Sequence, residues 1–321
     1  TSIDSHIPRT ALATVAAGII WLLPGSAIAA NPMDSCDNTD GPSTHTSAGC
    51  QLSQCDKSID LISGVQTLTC LLENGGTAGG KYWGVSDYPG SDNDFSFWGE
   101  MDDGTLFCCV ADASTSPFID TIDVQVVGSD GADHINWTYS AAGATSDLSY
   151  PASVTSQQVT GHVTAGSGGD FIYGPATSQL IVYPEFRGED GDDYILVGGN
   201  KPLAYGGRGE DTIDARNCPT TTIMYGESPI IVDTNGHDVL IAGDNGNTMF
   251  GNFGDDVLCG GTHDDLFSGG GGDDQLWSGG STLGEVIDGG TGTDDCGVLS
   301  GNYLANCENL LTSAMKPQDC P

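Results

Sequence analysis

The chain has 321 residues, of which 44 are acidic and 8 basic, a formal net charge of −36. A surface this acidic repels phosphate, which excludes a nucleic-acid partner. Glycine supplies 48 residues, about twice the usual share, with no G-X-Y period, which excludes collagen. The aliphatic and aromatic content is enough for a core, which excludes a merely disordered acidic chain.

In chain order, the first predicted element is an export signal. Arg9 precedes the apolar stretch "TALATVAAGIIWLLPGSAIAA", Thr10 to Ala30. Ala27-Ile28-Ala29 supplies the small-x-small pattern of a signal-peptidase site. Residues 1–30 are therefore expected to be a secretory signal, cleaved after Ala29 or Ala30. An uncleaved membrane anchor is the alternative, because the stretch is almost long enough to span a bilayer. The first cysteine after it is Cys36, too far on for a lipoprotein anchor.

All 11 cysteines follow that segment. With export, they read as a disulfide framework in an oxidising compartment. The odd total leaves one thiol free or bonded to another chain. Residues 31–118 are expected to form a small disulfide-rich domain of short strands and irregular structure. It carries Cys36, Cys50, Cys55, Cys70, Cys108 and Cys109. Its aromatics, including Trp83 and Trp98, read either as the core of a stapled small domain or as a glycan-binding platform.

From Phe118 the character changes. "FIDTIDVQVVGSDGADHINWTYS" alternates apolar residues and then opens the first glycine–aspartate turn. Residues 119–308 are an array, and an internal repeat outranks other signals in deciding a fold. The unit is G-G-x-G-x-D-x-U-x, with U a large apolar residue. "GGRGEDTID" (206–214) and "GGGGDDQLW" (269–277) fit every position, and "GNFGDDVLC" (251–259) misses one glycine. The triplet x-U-x is a short strand with U facing inward. Glycine supplies the left-handed backbone of the tight turn between strands. Nine residues make half a coil and eighteen a full one, so successive coils stack as parallel strands about 4.8 Å apart.

Each aspartate then sits one strand spacing from its counterpart. A Ca²⁺–oxygen bond is about 2.4 Å, so two stacked carboxylates can bracket one ion, with glycine carbonyls completing the shell. One face carries Asp133, Asp170, Asp193, Asp211, Asp238, Asp256, Asp274 and Asp294. Three of their intervals are 18 residues. The interval of 27 between Asp211 and Asp238 implies a nine-residue insertion around "ARNCPTTTIMYGESP" (215–229), and the interval of 20 between Asp274 and Asp294 a two-residue bulge. The other face reads Gln179, Pro202, Asn247, Asp265 and Glu285. This predicts one nearly continuous calcium column, and a sparse one limited to Asn247, Asp265 and Glu285. The inward positions are expected to form two ladders. One runs Ile135, Ile172, Ile195, Ile213, Leu240, Leu258, Leu276 and then Cys296; the other is Ile181, Met249, Phe267 and Ile287. A Cys296–Cys307 disulfide would close the terminal coil, where a repeat needs a cap. Residues 309–321 are read as a C-terminal tail.

The array resembles the calcium-binding RTX repeats, the haemolysin-type nonapeptide β-roll, over residues 128 to about 296. The resemblance implies an all-β fold, a parallel β-roll solenoid, that orders on binding several Ca²⁺ ions. The chain departs from that family in its N-terminal signal and its cysteines, so toxin function does not carry over. There is no H-E-x-x-H and no G-x-S-x-G, and no catalytic role is expected. Glu100, Asp102 and Asp103 could be imagined as a glycosidase pair, but surface carboxylates are far commoner. The expected function is an exported calcium-binding protein with a structural role at the cell surface or in an extracellular matrix, capable of self-association. The alternative is an extracellular binding module that recognises a glycan or a cell-surface protein through residues 31–118, with the roll as spacer.

Overall fold

The structure is a computed structural model. The chain divides into two compact units, Thr1–Asn31 and Pro32–Pro321. The described residues all lie in the second: 55–60, 65–71, 82–87, 94–100, 106–112, 121–128, 131–136, 158–174, 183–227, 236–280, 284–297, 303–311 and 316–320, with backbone alone up to residue 124 and at 134, 136, 158 and 159. The expected signal, the expected aromatic platform and the cysteines before Cys218 therefore lie outside what is described of side chains.

Among the described residues there is no helix. The N-terminal strands are β1 (Cys55–Asp60), β2 (Val65–Leu71), β3 (Tyr82–Asp87), β4 (Asp94–Glu100) and β5 (Leu106–Asp112). Then come β6 (Thr121–Val127), β7 (His134–Asn136), β8 (Gln158–Ser167), β9 (Phe171–Tyr173), β10 (Glu185–Asp190), β11 (Tyr194–Leu196), β12 (Leu203–Arg208), β13 (Thr212–Asp214) and β14 (Ile223–Tyr225). The series continues with β15 (Val239–Ile241), β16 (Thr248–Phe253), β17 (Val257–Cys259), β18 (Leu266–Gly271) and β19 (Gln275–Trp277). It ends with β20 (Val286–Thr291), β21 (Asp295–Gly297), β22 (Tyr303–Ala305) and β23 (Asn309–Leu311).

From β6 onward, even-numbered strands form sheet I and odd-numbered strands sheet II, each pairing in parallel with the next of its kind. This is a parallel β-solenoid of about six turns. The N-terminal strands extend the same two sheets. The antiparallel pair β1–β2 joins sheet I through β6, and the antiparallel set β3–β4–β5 joins sheet II through β7. The register of β1 and β2 sets Cys55 opposite Cys70.

The core lies between the two sheets. In sheet II the expected ladder forms rung by rung, Ile135–Ile172–Ile195–Ile213–Leu240–Leu258–Leu276–Cys296. Each of these rungs is at most 1% exposed, and burying one aliphatic rung stabilises by roughly 1.5–3 kcal/mol. In sheet I the ladder is longer than expected: Val126–Val163–Phe186–Ala204–Met224–Met249–Phe267–Ile287–Leu304. Ile181 and Gln179 lie outside the described residues, and the rung between Val163 and Ala204 is Phe186. The reason is spacing: Phe186 stands 18 residues before Ala204, whereas Ile181 stands 23 before it. The phenylalanine rungs demand corners without side chains. A Cβ on Gly174 would come 2.9 Å from Phe186 Cζ, and one on Gly260 would come 2.6 Å from Phe267 Cζ.

The insertion is divided rather than confined to 215–229. Ile213 to Met224 spans 11 residues and Met224 to Leu240 spans 16. Against nine in a regular half-coil, the excesses are two and seven. The expected segment keeps an ordered strand, β14, and most of the surplus follows it. The two-residue bulge falls between Leu276 and Ile287, 11 residues apart.

Two disulfides are present among the described residues. Cys296–Cys307 closes the last coil as expected, with Cα atoms 5.8 Å apart. Cys259–Cys320 joins residues 61 apart in sequence and fastens the tail to sheet II. Cys320 packs there with Ile241, Val239, Val257 and Trp277. Cys218 is free and buried. Two disulfides are the chemistry of an oxidising compartment.

Candidate metal centre

In every coil the site residue lies two positions before its rung: Asp193 before Ile195, Asp256 before Leu258. The register that stacks the apolar ladder therefore also stacks the carboxylates. The structure brings Asp133, Asp170, Asp193, Asp211, Asp238, Asp256, Asp274 and Asp294 into one column, each at most 3% exposed. The backbone N–H of each donates to Oδ1 of the next. The distances are 2.8 Å for Asp193 to Asp211, for Asp211 to Asp238 and for Asp238 to Asp256, and 2.9 Å for Asp256 to Asp274 and Asp274 to Asp294. Asp133 and Asp170 extend the series at the N-terminal end. At the other end the Asp294 N–H donates to Glu308 Oε2 at 2.9 Å. Glu308 is a terminal member that the nonapeptide pattern does not contain.

The second oxygen is what gives the column chemical interest. Oδ2 of Asp170, Asp193, Asp211, Asp256, Asp274 and Asp294 is buried and accepts no hydrogen bond. Against it lies a backbone carbonyl of the next coil. A Cβ placed on Gly206 would overlap both Asp211 Oδ2 and Gly226 O; on Gly251, both Asp256 Oδ2 and Gly269 O; on Gly269, both Asp274 Oδ2 and Gly289 O. At these glycines and at Gly188 and Gly226, the two oxygens lie no more than 2.6 Å from that one position. Glycine is thus required there by space. Gly226 O already accepts from Gly207 N at 2.9 Å, so it is the buried Oδ2 beside such a carbonyl, an acceptor with no donor of its own, that calls for a proton or a cation. Ca²⁺ takes oxygen ligands at 2.3–2.6 Å, carboxylates and backbone carbonyls alike. The residues present fit such an ion: Oδ2 of each aspartate and the facing glycine carbonyls would hold it.

Burial raises these carboxyls well above the ordinary range. Desolvation is the main cause throughout; neighbouring carboxylates add to it, and the backbone N–H bond opposes it. Asp170 and Asp274 rise to about 7, Asp193 and Asp211 to about 8, and Asp256 to about 9. At neutral pH Asp193, Asp211 and Asp256 keep their protons unless a cation replaces them.

The sheet I column differs. Two positions before its rungs stand Pro184, Pro202, Thr222, Asn247, Asp265 and Glu285. The last three are the expected sparse set, and the structure does stack them. Asn247 Oδ1 accepts from Thr222 N at 3.0 Å, and Asp265 Oδ1 from Asn247 N at 2.7 Å. Asp265 Oδ2 also accepts from Gly261 N, at 2.9 Å, so both its oxygens already have protein donors. Its carboxyl rises only to about 6, through burial opposed by those bonds. Glu285, buried with fewer donors, rises to about 8.

Sequence reasoning missed Glu227. It is 1% exposed and takes the place that Gly207 and Gly270 hold in other coils. Its Oε2 accepts from Phe253 N at 3.2 Å. A Cβ on Gly236 would stand 2.9 Å from its Oε1, 3.1 Å from Gly209 O and 3.6 Å from Asp238 Oδ2. It adds a second carboxylate to the column at the inserted coil. The signal was an acid in a glycine position, in "GESP" after Tyr225.

Among the described residues no three His, Cys, Asp or Glu side chains converge as a metal cluster. A shell here would draw on backbone carbonyls, which suits a hard cation and not zinc. His237 and His263 are exposed in turns. No family model matches the chain, and no curated protein and no solved structure is significantly similar to it.

Proposed function

We propose that the solenoid is a calcium-binding β-roll of the RTX kind, ordered by a column of Ca²⁺ ions once the chain has been exported. The observation that carries this is the repeated buried Oδ2, without a hydrogen-bond donor and facing a glycine carbonyl of the next coil. Asp133, Asp170, Asp193, Asp211, Asp238, Asp256, Asp274 and Asp294 supply the main column. Asn247, Asp265 and Glu285 supply a weaker one. Because metal binding to a site that exists only in the fold is folding free energy, the roll orders where Ca²⁺ is plentiful, outside the cytoplasm. The function that follows is that of a calcium-rigidified structural element of a cell surface or extracellular matrix, secured by disulfides. The test is far-UV circular dichroism with isothermal titration calorimetry, titrating Ca²⁺ into chelator-treated protein at pH 8. A gain of β signal with several ions bound supports the reading. Unchanged spectra with no heat of binding would leave the array held by its apolar ladders and disulfides alone.

A further inference from the structure

The inserted coil interrupts the close stacking of the turns. In the regular coils the third glycine of the unit lies hard against the carbonyl of its counterpart one coil earlier. A Cβ on Gly191, Gly209, Gly254, Gly272 or Gly292 would stand 1.5–2.2 Å from that oxygen. At Gly236 the corresponding oxygen, Gly209 O, is 3.1 Å from the same point, and carboxylates stand beside it. Glu227 Oε1 is 2.9 Å from that point and Asp238 Oδ2 is 3.6 Å from it. Three oxygens from three segments of the chain surround one place.

Glu227 reaches this place because its backbone differs. Glu189 and Asn252 hold the corresponding position in their coils with left-handed φ of 83° and 77°, and both are partly exposed. Glu227 lies outside the left-handed region and is 1% exposed. Strand β16 of the next coil holds it there. Asn252 Nδ2 donates to the Glu227 carbonyl at 3.1 Å, and Phe253 N to its Oε2 at 3.2 Å. Along the column, Asp211 Oδ2 and Asp256 Oδ2 are buried and accept no hydrogen bond, and the charge of Glu227 bears on both carboxyls. Carboxylates gathered in one buried place repel one another, and a divalent cation turns that repulsion into shared coordination.

We propose that Glu227 is a calcium ligand, and that the site it forms with Asp238 and the Gly209 carbonyl is the tightest of the column and the first to fill. This holds only if the column binds Ca²⁺ as proposed above. Ligand charge and rigidity set calcium affinity. An ordinary site draws its carboxylates from the stacked aspartates alone; this one has Glu227 in addition, fixed by two hydrogen bonds from β16. At limiting Ca²⁺ the roll therefore orders first at its inserted coil, and order spreads from there to the neighbouring coils. The competing role for Glu227 is a plug, a protonated carboxyl that donates to Gly209 O and fills the gap. Glu227→Gln separates the two roles. The amide keeps the shape, donates to Gly209 O and accepts from Phe253 N, but it lacks the charge.

The experiment is a titration of the full chain with Ca²⁺ at pH 8 in competition with a chromophoric chelator. Melting temperature is read by circular dichroism at one equivalent of Ca²⁺. The wild type should bind one ion about tenfold or more tighter than the rest. Glu227→Gln should lose that tight class, and with it the rise in melting temperature at one equivalent, while keeping the weaker ions. Glu210→Gln removes an exposed charge from the neighbouring turn and should retain the tight class. If Glu227→Gln does not fold, Glu227→Gly decides in its place. It restores the residue found at Gly207 and Gly270, and it too should lose the tight ion. Wild-type affinities in Glu227→Gln overturn the inference in favour of the plug and leave the calcium reading standing. A single class of equal sites in the wild type does the same. A wild type that binds no calcium overturns both.

Discussion

The two turn columns share one backbone geometry and differ in side chains. Before sheet II every coil places an aspartate; before sheet I the same position passes through Pro184, Pro202 and Thr222 before it reaches Asn247, Asp265 and Glu285. The proline corners stack as well as the aspartate corners of the same coils, with β10 and β12 in full parallel register. A corner therefore does not itself require a carboxylate in order to stack. What Asp170, Asp193, Asp211, Asp256, Asp274 and Asp294 add is a row of buried oxygens without hydrogen-bond donors, and it is this addition that the proposed cation would account for.

The sharpest way to break the comparison is to remove the metal at pH 8. Each Ca²⁺ at one hundred times its Kd stabilises by about 2.7 kcal/mol. Several such sites together match the about 5–15 kcal/mol that holds a typical domain folded. Chelation should therefore abolish the cooperative thermal transition of the array, as followed by circular dichroism. Persistence of the full transition would mean that the aspartate column is as dispensable as the proline one.

Protons should substitute for the metal. Asp193 and Asp256 are held at about 8 and about 9 in the fold, against about 3.9 in an unfolded chain. Between those values the folded state keeps protons that the unfolded state has released, so stability is greatest below about pH 4 and falls as pH rises towards 9. In chelator the melting temperature should drop steadily from about pH 4 upward, until the transition is lost by pH 8. In Ca²⁺ the drop should disappear, because the cation occupies the place of the proton.

A smaller effect separates glycines that face the column from glycines that do not. Gly251→Ala would drive its Cβ into Asp256 Oδ2 and Gly269 O, whereas at Gly271 the nearest atom is Thr291 Oγ1 at 3.2 Å. Denaturant unfolding in Ca²⁺ should show a loss of about 3 kcal/mol for Gly251→Ala. Gly271→Ala should stay within about 0.5 kcal/mol of the wild type. Equal losses would mean that the cradle is not tightly packed.

The smallest expected contrast lies between single ligands. Asp256→Ala should reduce the calcium-induced rise in melting temperature by more than Asp265→Ala, because both oxygens of Asp265 already have backbone donors. Pro202→Ala should leave that rise unchanged. The reverse order for the two aspartates would make the sheet I column the principal site.

The sheet II half of this architecture was legible because three signals coincide there. Glycine marks the turn, aspartate sits two residues before the rung, and an isoleucine or leucine fills the rung, as in "GGRGEDTID". The sheet I half loses the first two signals before Asn247. Val126, Val163 and Phe186 are rungs by virtue of what they stack on, and Ala204 is a rung too small to announce itself. The 18-residue step from Pro184 to Pro202 was the one local clue, and an 18-residue rule applied without the motif would have found it. Cys296–Cys307 could be read because both residues sit at the end of the pattern. Cys259–Cys320 could not, since a bridge across 61 residues leaves no trace in local spacing.

That long bridge sets the path of mechanical load. Tension applied at the C-terminus enters the solenoid at Cys259 in β17, and the 61 residues from there to Cys320 lie off the line of force. At about 3.4 Å per residue, roughly 200 Å of chain stays out of reach of a pull until the bond is reduced. The last coils, β18 to β23, ride on the strained part of the molecule without bearing its load.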